Sequence, residues 1–247
     1  MCKFIKSLYG LKQTPKQLHN KFDHVLVTNG YSINDVDKCI YNKYVDNTCV
    51  VIYLYVDDMI FGTSLKVVCE TKKLLGSEFD MKDLGEVEMI LGIKITRTPN
   101  GLKLSQEHYV EKILRKFEHF DCKPASTPYD PSSQLKKNRE HSVAQIKYAQ
   151  IIESLMYLMN CTRLDIAYVV GRLSQYTQSF NQNHWTIVCR VLKYLKGTIN
   201  YGLCFSGFPN VLEGFSDANW ISDSNEMKST SGYVFILGGS AVSWKSA

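Results

Sequence analysis

No segment of this 247-residue sequence is apolar over the roughly 20 consecutive residues that a bilayer-spanning helix needs. The first residues also lack the apolar stretch of a secretory signal peptide. We therefore expect an intracellular protein, in the cytoplasm or nucleus, that is not secreted and has no membrane partner. A hydrophobic content of 45% and a charged content of 21% are typical of a folded globular chain.

The sequence also lacks any Cys-x-x-Cys pair, although it contains eight cysteines. Their scattered positions, several of them inside apolar segments, favour reduced thiols over a disulfide framework. His119 and Cys122 resemble half of a zinc site, but no second pair supplies the other two ligands. We therefore expect neither a structural zinc site nor disulfide bonds.

Acidic residues are absent before Asp23, while five lysines precede it. Prolines are few, six in all, and three of them fall within residues 122–139, which we interpret as a linker. The net charge is +5. A basic first segment fits a polyanionic partner such as nucleic acid, but it also fits a solvated protein face, and charge alone does not decide between them.

The most informative local pattern is Tyr55-Val56-Asp57-Asp58, placed between two apolar runs. It predicts a β-hairpin with two carboxylates at its tip. A two-residue turn favours Asn-Gly or Asp-Gly, whereas this one has no glycine and places like charges together. A divalent cation such as Mg²⁺ would offset that repulsion, because it binds carboxylate oxygens. The alternative is an ordinary acidic turn.

The remaining pattern predicts an α+β protein. A helix over residues 15–27 precedes strands over 39–45, 49–55 and 59–62, then a helix from Ser64 to Phe79 and a strand over 87–98. Ser105 is expected to cap the next helix. After the linker, apolar residues recur at helical spacing in three helices. Short strands follow over 201–205, 212–217, 232–237 and 241–244, and we expect the last two to leave an apolar face that no helix covers.

Several motifs together resemble the Pol polyprotein of copia-type LTR retrotransposons. The reverse transcriptase resemblance lies in residues 7–13 (SLYGLKQ), 55–58 (YVDD), 81–86 (MKDLGE) and 91–95 (LGIKI). That of the connecting region lies in 154–158 (SLMYL), 162–163 (TR) and 190–198 (RVLKYLKGT). The opening of ribonuclease H is similar to 215–220 (FSDANW), 228–233 (KSTSGY) and 243–246 (SWKS).

The resemblance implies three regions. Residues 1–98 would form a partial reverse transcriptase palm, an antiparallel sheet with helices. Residues 99–200 would form the helical thumb and connection region. Residues 201–247 would be the N-terminal fragment of a ribonuclease H-like domain, with an incomplete sheet. The implied function is RNA-directed DNA polymerase, acting on an RNA or DNA primer–template with deoxynucleoside triphosphates.

The same resemblance assigns roles at the polymerase site. Asp57 and Asp58 match the paired carboxylates that bind Mg²⁺ in a two-metal site, and would be catalytic. Gln13 and Tyr55 would contact the nucleotide or template. We expect Asp57 to be the more direct metal ligand.

Further roles follow for residues elsewhere in the chain. Leu91 and Gly92 would belong to the hairpin that grips the primer, and Lys12 and Lys16 would contact the nucleic-acid backbone. Asp217 matches one of the catalytic, metal-binding carboxylates of ribonuclease H.

The family's first palm aspartate lies upstream of the segment matched by residues 7–13, and its other ribonuclease H acids follow the segments matched here. We therefore expect a truncated piece of the polyprotein whose Mg²⁺ site is incomplete and which is inactive by itself. One alternative is a non-enzymatic nucleic-acid-binding or interaction module derived from a retrotransposon. The other is an unrelated magnesium-dependent enzyme that uses Asp57 and Asp58.

Overall fold

A computed structural model describes residues 14–45, 48–55, 58–62, 65–131, 133, 135, 145–207, 211–223 and 228–246. The chain divides into two compact units, residues 1–87 and residues 88–247. Both contain helices and antiparallel sheets, which confirms the α+β class. Among the described residues, no helix is both long enough and apolar enough to cross a membrane.

As far as it is described, the first unit consists of a four-stranded antiparallel sheet and two helices. Its strands follow one another in space as they do in sequence, β1-β2-β3-β4. The elements are α1 (Thr14–Thr28), β1 (Ser32–Ile33), β2 (Ile40–Val45), β3 (Thr48–Tyr55), β4 (Asp58–Gly62) and α2 (Leu65–Glu78). The predicted helices and the three longer strands are thereby confirmed, with bounds that differ by one or two residues.

One face of this sheet forms the core of the first unit. Alternate β3 residues Val50, Ile52 and Leu54 are buried and join apolar residues of α1 and α2 in one cluster. Period-two alternation places these three side chains on the same face. Phe22 of α1 stacks on Phe79, which follows α2, with ring centroids 4.1 Å apart. The other sheet face is therefore left to carry the exposed residues.

In its described residues, the second unit contains two sheets and four α-helices. One sheet has the order β5-β6-β7-β8 and the other the order β11-β10-β9. The strands are β5 (Met89–Ile90), β6 (Ile93–Thr98), β7 (Gly101–Ser105), β8 (Gly202–Phe205), β9 (Glu213–Asp223), β10 (Lys228–Leu237) and β11 (Ser240–Ser246). The helices are α3 (Glu107–Lys116), α4 (Gln145–Cys161), α5 (Ala167–Ser174) and α6 (Gln182–Gly197).

Two local predictions in this unit are wrong. Residues 87–98 do not form one strand, because Leu91 and Gly92 turn the chain between β5 and β6. Ser105 is the last residue of β7, and the N-cap of α3 is Gln106, whose side chain makes no capping hydrogen bond. The side chain of Gln106 instead accepts from Thr162 Oγ1 at 2.7 Å, a tertiary contact that the local sequence does not reveal.

Strand β8 makes the least expected pairing. It hydrogen-bonds to β7, with Leu203 opposite Leu104, although almost 100 residues separate the two strands. Gly202 allows this approach, because a Cβ at this position would overlap the Leu104 carbonyl. The division into residues 1–98, 99–200 and 201–247 stays a prediction, and β8 shows that the first strand of the third region joins the sheet that contains β5–β7.

Helices α3 to α6 enclose the larger core. At its margin a buried arginine, Arg163, joins the segment that precedes α5 to the C-terminal end of α6. Arg163 is 1% exposed, forms a two-pronged ion pair with Asp165 (2.7 and 2.9 Å) and donates to the Thr198 carbonyl at 3.0 Å. Tyr194 donates to Asp165 at 2.8 Å. Burial raises the pKa of Asp165, but Arg163 and Tyr194 outweigh it and the net pKa is lowered. Burial and Asp165 raise the pKa of Tyr194 to about 12.

The last sheet is covered in part. Trp244 of β11 is half-buried, and its Nε1 donates to the Met159 carbonyl of α4 at 2.8 Å. Alternate β10 residues Tyr233, Phe235 and Leu237 are exposed. The expected exposed apolar face is therefore present, although α4 contacts the sheet through Trp244, which the sequence did not predict.

Candidate functional site

The β3–β4 hairpin is present, but its turn lies one residue earlier than the Asp57-Asp58 turn that the sequence predicts. Tyr55 pairs with Asp58, so the two strands are joined by a two-residue connection. Val56 and Asp57 form that connection and lie outside the described residues. Asp58 is exposed as the first residue of β4. The structure therefore places Tyr55 and Asp58 next to each other at the tip of the hairpin.

The pairing also determines which face Asp58 shares. Tyr55 lies opposite Asp58 and Tyr53 opposite Ile60, whereas Leu54, on the buried face, lies opposite Met59. Directly opposed residues point to the same side of a sheet. Tyr53 and Tyr55 lie side by side there, with ring centroids 6.4 Å apart. Asp58 thus belongs to an outer sheet face that displays two tyrosines.

The carboxylate at this tip is a suitable ligand for a divalent cation, because Mg²⁺ prefers carboxylate oxygens. Asp58 is the one carboxylate of the predicted pair that the structure describes. Across the described parts of the chain, no three His, Cys, Asp or Glu side chains come together in a way that could hold a metal ion. Metal binding by Asp57 and Asp58 stays a prediction.

Lys16 lies on the exposed side of α1, while Gln13 and Lys12 lie outside the described residues. Lys16 lines a shallow concave surface together with His19, Asn20, Asp23, Ile33 and Lys38. This places two lysines at the edge of the first unit, which is compatible with contact to phosphates.

Asp23 anchors that surface, and sequence reasoning missed its role. Its Oδ2 lies 3.2 Å from His19 Nδ1, and its Oδ1 accepts a hydrogen bond from Tyr41 Oη at 2.7 Å. Tyr41 is fully buried, and burial together with Asp23 raises the pKa of its hydroxyl. The bond fixes α1 against β2. No local pattern identified this role, because the partner Tyr41 lies 18 residues further along the chain.

Leu91 and Gly92 form the tip of the β5–β6 hairpin. The pair Ile90–Ile93 closes the turn, and both turn residues have positive φ, 50° for Leu91 and 70° for Gly92. Leu91 is 49% exposed. The predicted primer-contacting residues are therefore a true hairpin tip, although primer contact itself stays a prediction.

Asp217 lies on β9, opposite Gly232 of β10, and is exposed. It lines a shallow concavity with Ser216, Tyr233 and Lys245 among others. Within the second unit, Asp217 belongs to a different sheet from the Leu91-Gly92 turn. Its catalytic and metal-binding roles stay predictions.

Comparison with known proteins gives one consistent result. A family model described as reverse transcriptase (RNA-dependent DNA polymerase) matches residues 1–131. The chain is 40% identical over its whole length to the retrovirus-related Pol polyprotein from transposon TNT 1-94 of Nicotiana tabacum, covering 19% of that protein. For the corresponding polyproteins from transposons RE1 and RE2 of Arabidopsis thaliana, the identities are 35% and 33%, again over the whole chain, which covers 17% of each. The chain therefore spans less than a fifth of the length of these relatives. No solved structure matches it.

Proposed function

The chain belongs to the reverse transcriptase family and is similar throughout to copia-type retrotransposon polyproteins, and from this we propose that it acts as part of an RNA-directed DNA polymerase. The observation that carries the proposal is the Tyr55–Asp58 pairing. It puts Asp58 at the end of a hairpin, where one sheet face is packed and the other is open. We propose that residues 1–98 act as palm and residues 99–200 as thumb and connection, inside the cell.

We assign each face of the hairpin a task. The buried face, through Val50, Ile52 and Leu54, holds β3 rigid against the helices. The outer face presents Asp58 and Tyr55 to the substrate. Mg²⁺ ions bound by Asp57 and Asp58 would supply charge neutralisation for nucleotidyl transfer. A Tyr55 ring on an open sheet face offers a flat surface on which a nucleotide can stack.

The proposed partner is a primer–template duplex with deoxynucleoside triphosphates. Gln13 and Tyr55 would face the nucleotide or template, and Leu91 and Gly92 the primer. Lys12 and Lys16 would bind phosphates. Asp217 would contribute one carboxylate to a ribonuclease H site, with Mg²⁺, in residues 201–247.

Primer extension tests the catalytic proposal. The 247-residue polypeptide alone should show no extension with Mg²⁺ or Mn²⁺, because Asp57 and Asp58 supply two carboxylates where the family's site uses three. Fusing a fingers-and-palm segment from a relative upstream should restore extension, and Asp57→Asn should then abolish it. Asp35→Asn, at an exposed acid in the β1–β2 connection, is the matched control and should leave it intact.

Two outcomes would contradict this assignment. Extension by the unfused polypeptide, lost in Asp57→Asn, would show that these residues already contain a complete site. Restored extension that survives Asp57→Asn would show that the catalytic carboxylates lie elsewhere.

Duplex binding measured together with extension separates the polymerase from the alternative, a nucleic-acid-binding module without activity. Duplex binding by the 247-residue chain should be weak, independent of sequence and weaker as salt rises, because phosphate contacts release counterions. Binding with no extension in any upstream fusion would support the binding module. An affinity that does not change with salt concentration would contradict both the polymerase and the binding module.

A further inference from the structure

The tip of the β5–β6 hairpin has an unfavourable sequence for its shape. A two-residue turn with positive φ at both positions favours Asn-Gly. Gly92 suits its φ of 70°, but Leu91 has a φ of 50°, which a side chain with a Cβ adopts rarely. Such a conformation persists where surrounding contacts enforce it.

Tyr157 of α4 provides such a contact. Its Oη donates a hydrogen bond to the Leu91 carbonyl. It also lies over Gly92, since a Cβ at that position would be 3.6 Å from Tyr157 Oη. The hydroxyl therefore bonds to one residue of the turn and lies next to the other.

Tyr157 is itself held in place from α3. Its ring meets that of Tyr109 edge to face, with centroids 5.0 Å apart. Burial raises the pKa of Tyr157, and Cys161 raises it further. The hydroxyl therefore keeps its proton and remains a donor at neutral pH. The neighbouring end of α4 is tied to α3 by the bond from Thr162 to the buried Gln106.

We propose that Tyr157 is a positioning residue that holds the Leu91-Gly92 turn in its left-handed conformation, and that binding of the primer backbone at this tip depends on it. The second half rests on the proposed function. The contact joins residues 66 apart in sequence, so the thumb-and-connection helix α4 would set the geometry of the primer-binding hairpin.

Hydrogen exchange tests the first half without any nucleic acid. Tyr157→Phe removes the donor and keeps the ring, so the amides of Ile90 and Ile93, which close the turn, should exchange about fivefold faster, as expected for the loss of one net hydrogen bond. Tyr109→Phe is the control, since it keeps the ring contact. Unchanged exchange in Tyr157→Phe, or an equal increase across α4, would overturn the proposal.

A compensating substitution makes the test stricter. Leu91→Asn gives the turn the Asn-Gly sequence that favours its φ values, so the hydroxyl should become dispensable. In the Leu91→Asn background, Tyr157→Phe should change the exchange of Ile90 and Ile93 by less than about twofold. An undiminished effect would show that Tyr157 does not act through the strain at Leu91.

Duplex binding by the full chain tests the second half. Tyr157→Phe should weaken primer–template affinity several-fold at low salt, and Tyr109→Phe should not. Faster exchange with unchanged affinity would leave the turn contact in place and overturn its role in primer binding. If the unsubstituted chain binds no duplex at all, the proposed function fails, while the exchange result still decides whether Tyr157 holds the turn.

Discussion

The outer sheet face of the first unit and the helical core of the second use apolar residues in opposite ways. In the sheet, one side of β3 is buried, whereas the other carries half-buried Tyr53 and exposed Tyr55 beside exposed Asp58 of β4. Helices α3 to α6 instead surround one core, to which residues of all four helices contribute. The open sheet face carries the proposed chemistry, and the enclosed helices carry most of the buried contacts.

Buried polar groups sharpen this difference. In the helical core, Arg163 is 1% exposed and has several bonds to residues near the ends of other elements. In the first unit, Tyr41 is joined to Asp23 by one hydrogen bond, which is half-buried. Loss of a polar contact should therefore cost more in the second unit than in the first, and loss of an outer-face side chain should cost least.

Arg163→Ala should give the largest effect. It leaves Asp165 largely buried without its cation, and removing one partner of a buried pair costs about 3–5 kcal/mol of unfolding free energy. Hydrogen exchange of α6 under mild denaturant measures the loss. Arg190→Ala, which removes a more exposed pair with Asp130 at 3.9 Å, should cost less than about 1 kcal/mol. Equal losses would refute the structural role of Arg163.

His184 should make the helical core sensitive to acid. It is fully buried, and burial lowers its pKa from 6.5 to about 4. The unfolded chain binds the proton more tightly, so stability is complete above pH 6.5 and falls between pH 6.5 and 4, by about 3 kcal/mol. Exchange of α6 across this range measures it. His184→Gln should flatten the profile, whereas exposed His108→Gln should leave it unchanged.

Tyr41→Phe should cost less, about 1–2 kcal/mol, because it removes one hydrogen bond to a carboxylate and preserves the buried ring. Exchange in β2 and β3 reports the change. Tyr44→Phe, at a residue that is 75% exposed on the same strand, serves as the control and should have no measurable effect. A smaller loss for Tyr41 than for Tyr44 would contradict the anchoring role of Asp23.

Asp58→Asn should give the smallest effect on stability, within about 0.5 kcal/mol, because the side chain is exposed at the hairpin tip. The denaturant dependence of hydrogen exchange at the amides of β3 and β4 measures this change. In the upstream-fused polymerase the same substitution should strongly reduce extension. A large loss of stability would mean that Asp58 supports the hairpin and is not free for substrate.

Local pattern in the sequence predicted most of the elements and the site motif. The alternation of β3 and the spacing in α4, α5 and α6 predicted strands and helices, since each buries one face. The adjacent acids after β3 predicted a hairpin tip, although the Tyr55–Asp58 pairing places the turn one residue earlier than the two acids. These features depend on neighbours in sequence, and periodicity records them directly.

Contacts between distant segments were decided by the tertiary structure. Leu91 carries no turn signal, and its positive φ is held by Tyr157, 66 residues away. The pairing of β8 with β7 and the bonds of Arg163 to Thr198 likewise join segments that no local window contains. Side-chain periodicity states which face is buried, but it does not state which partner buries it, because many apolar or polar partners would satisfy the same pattern.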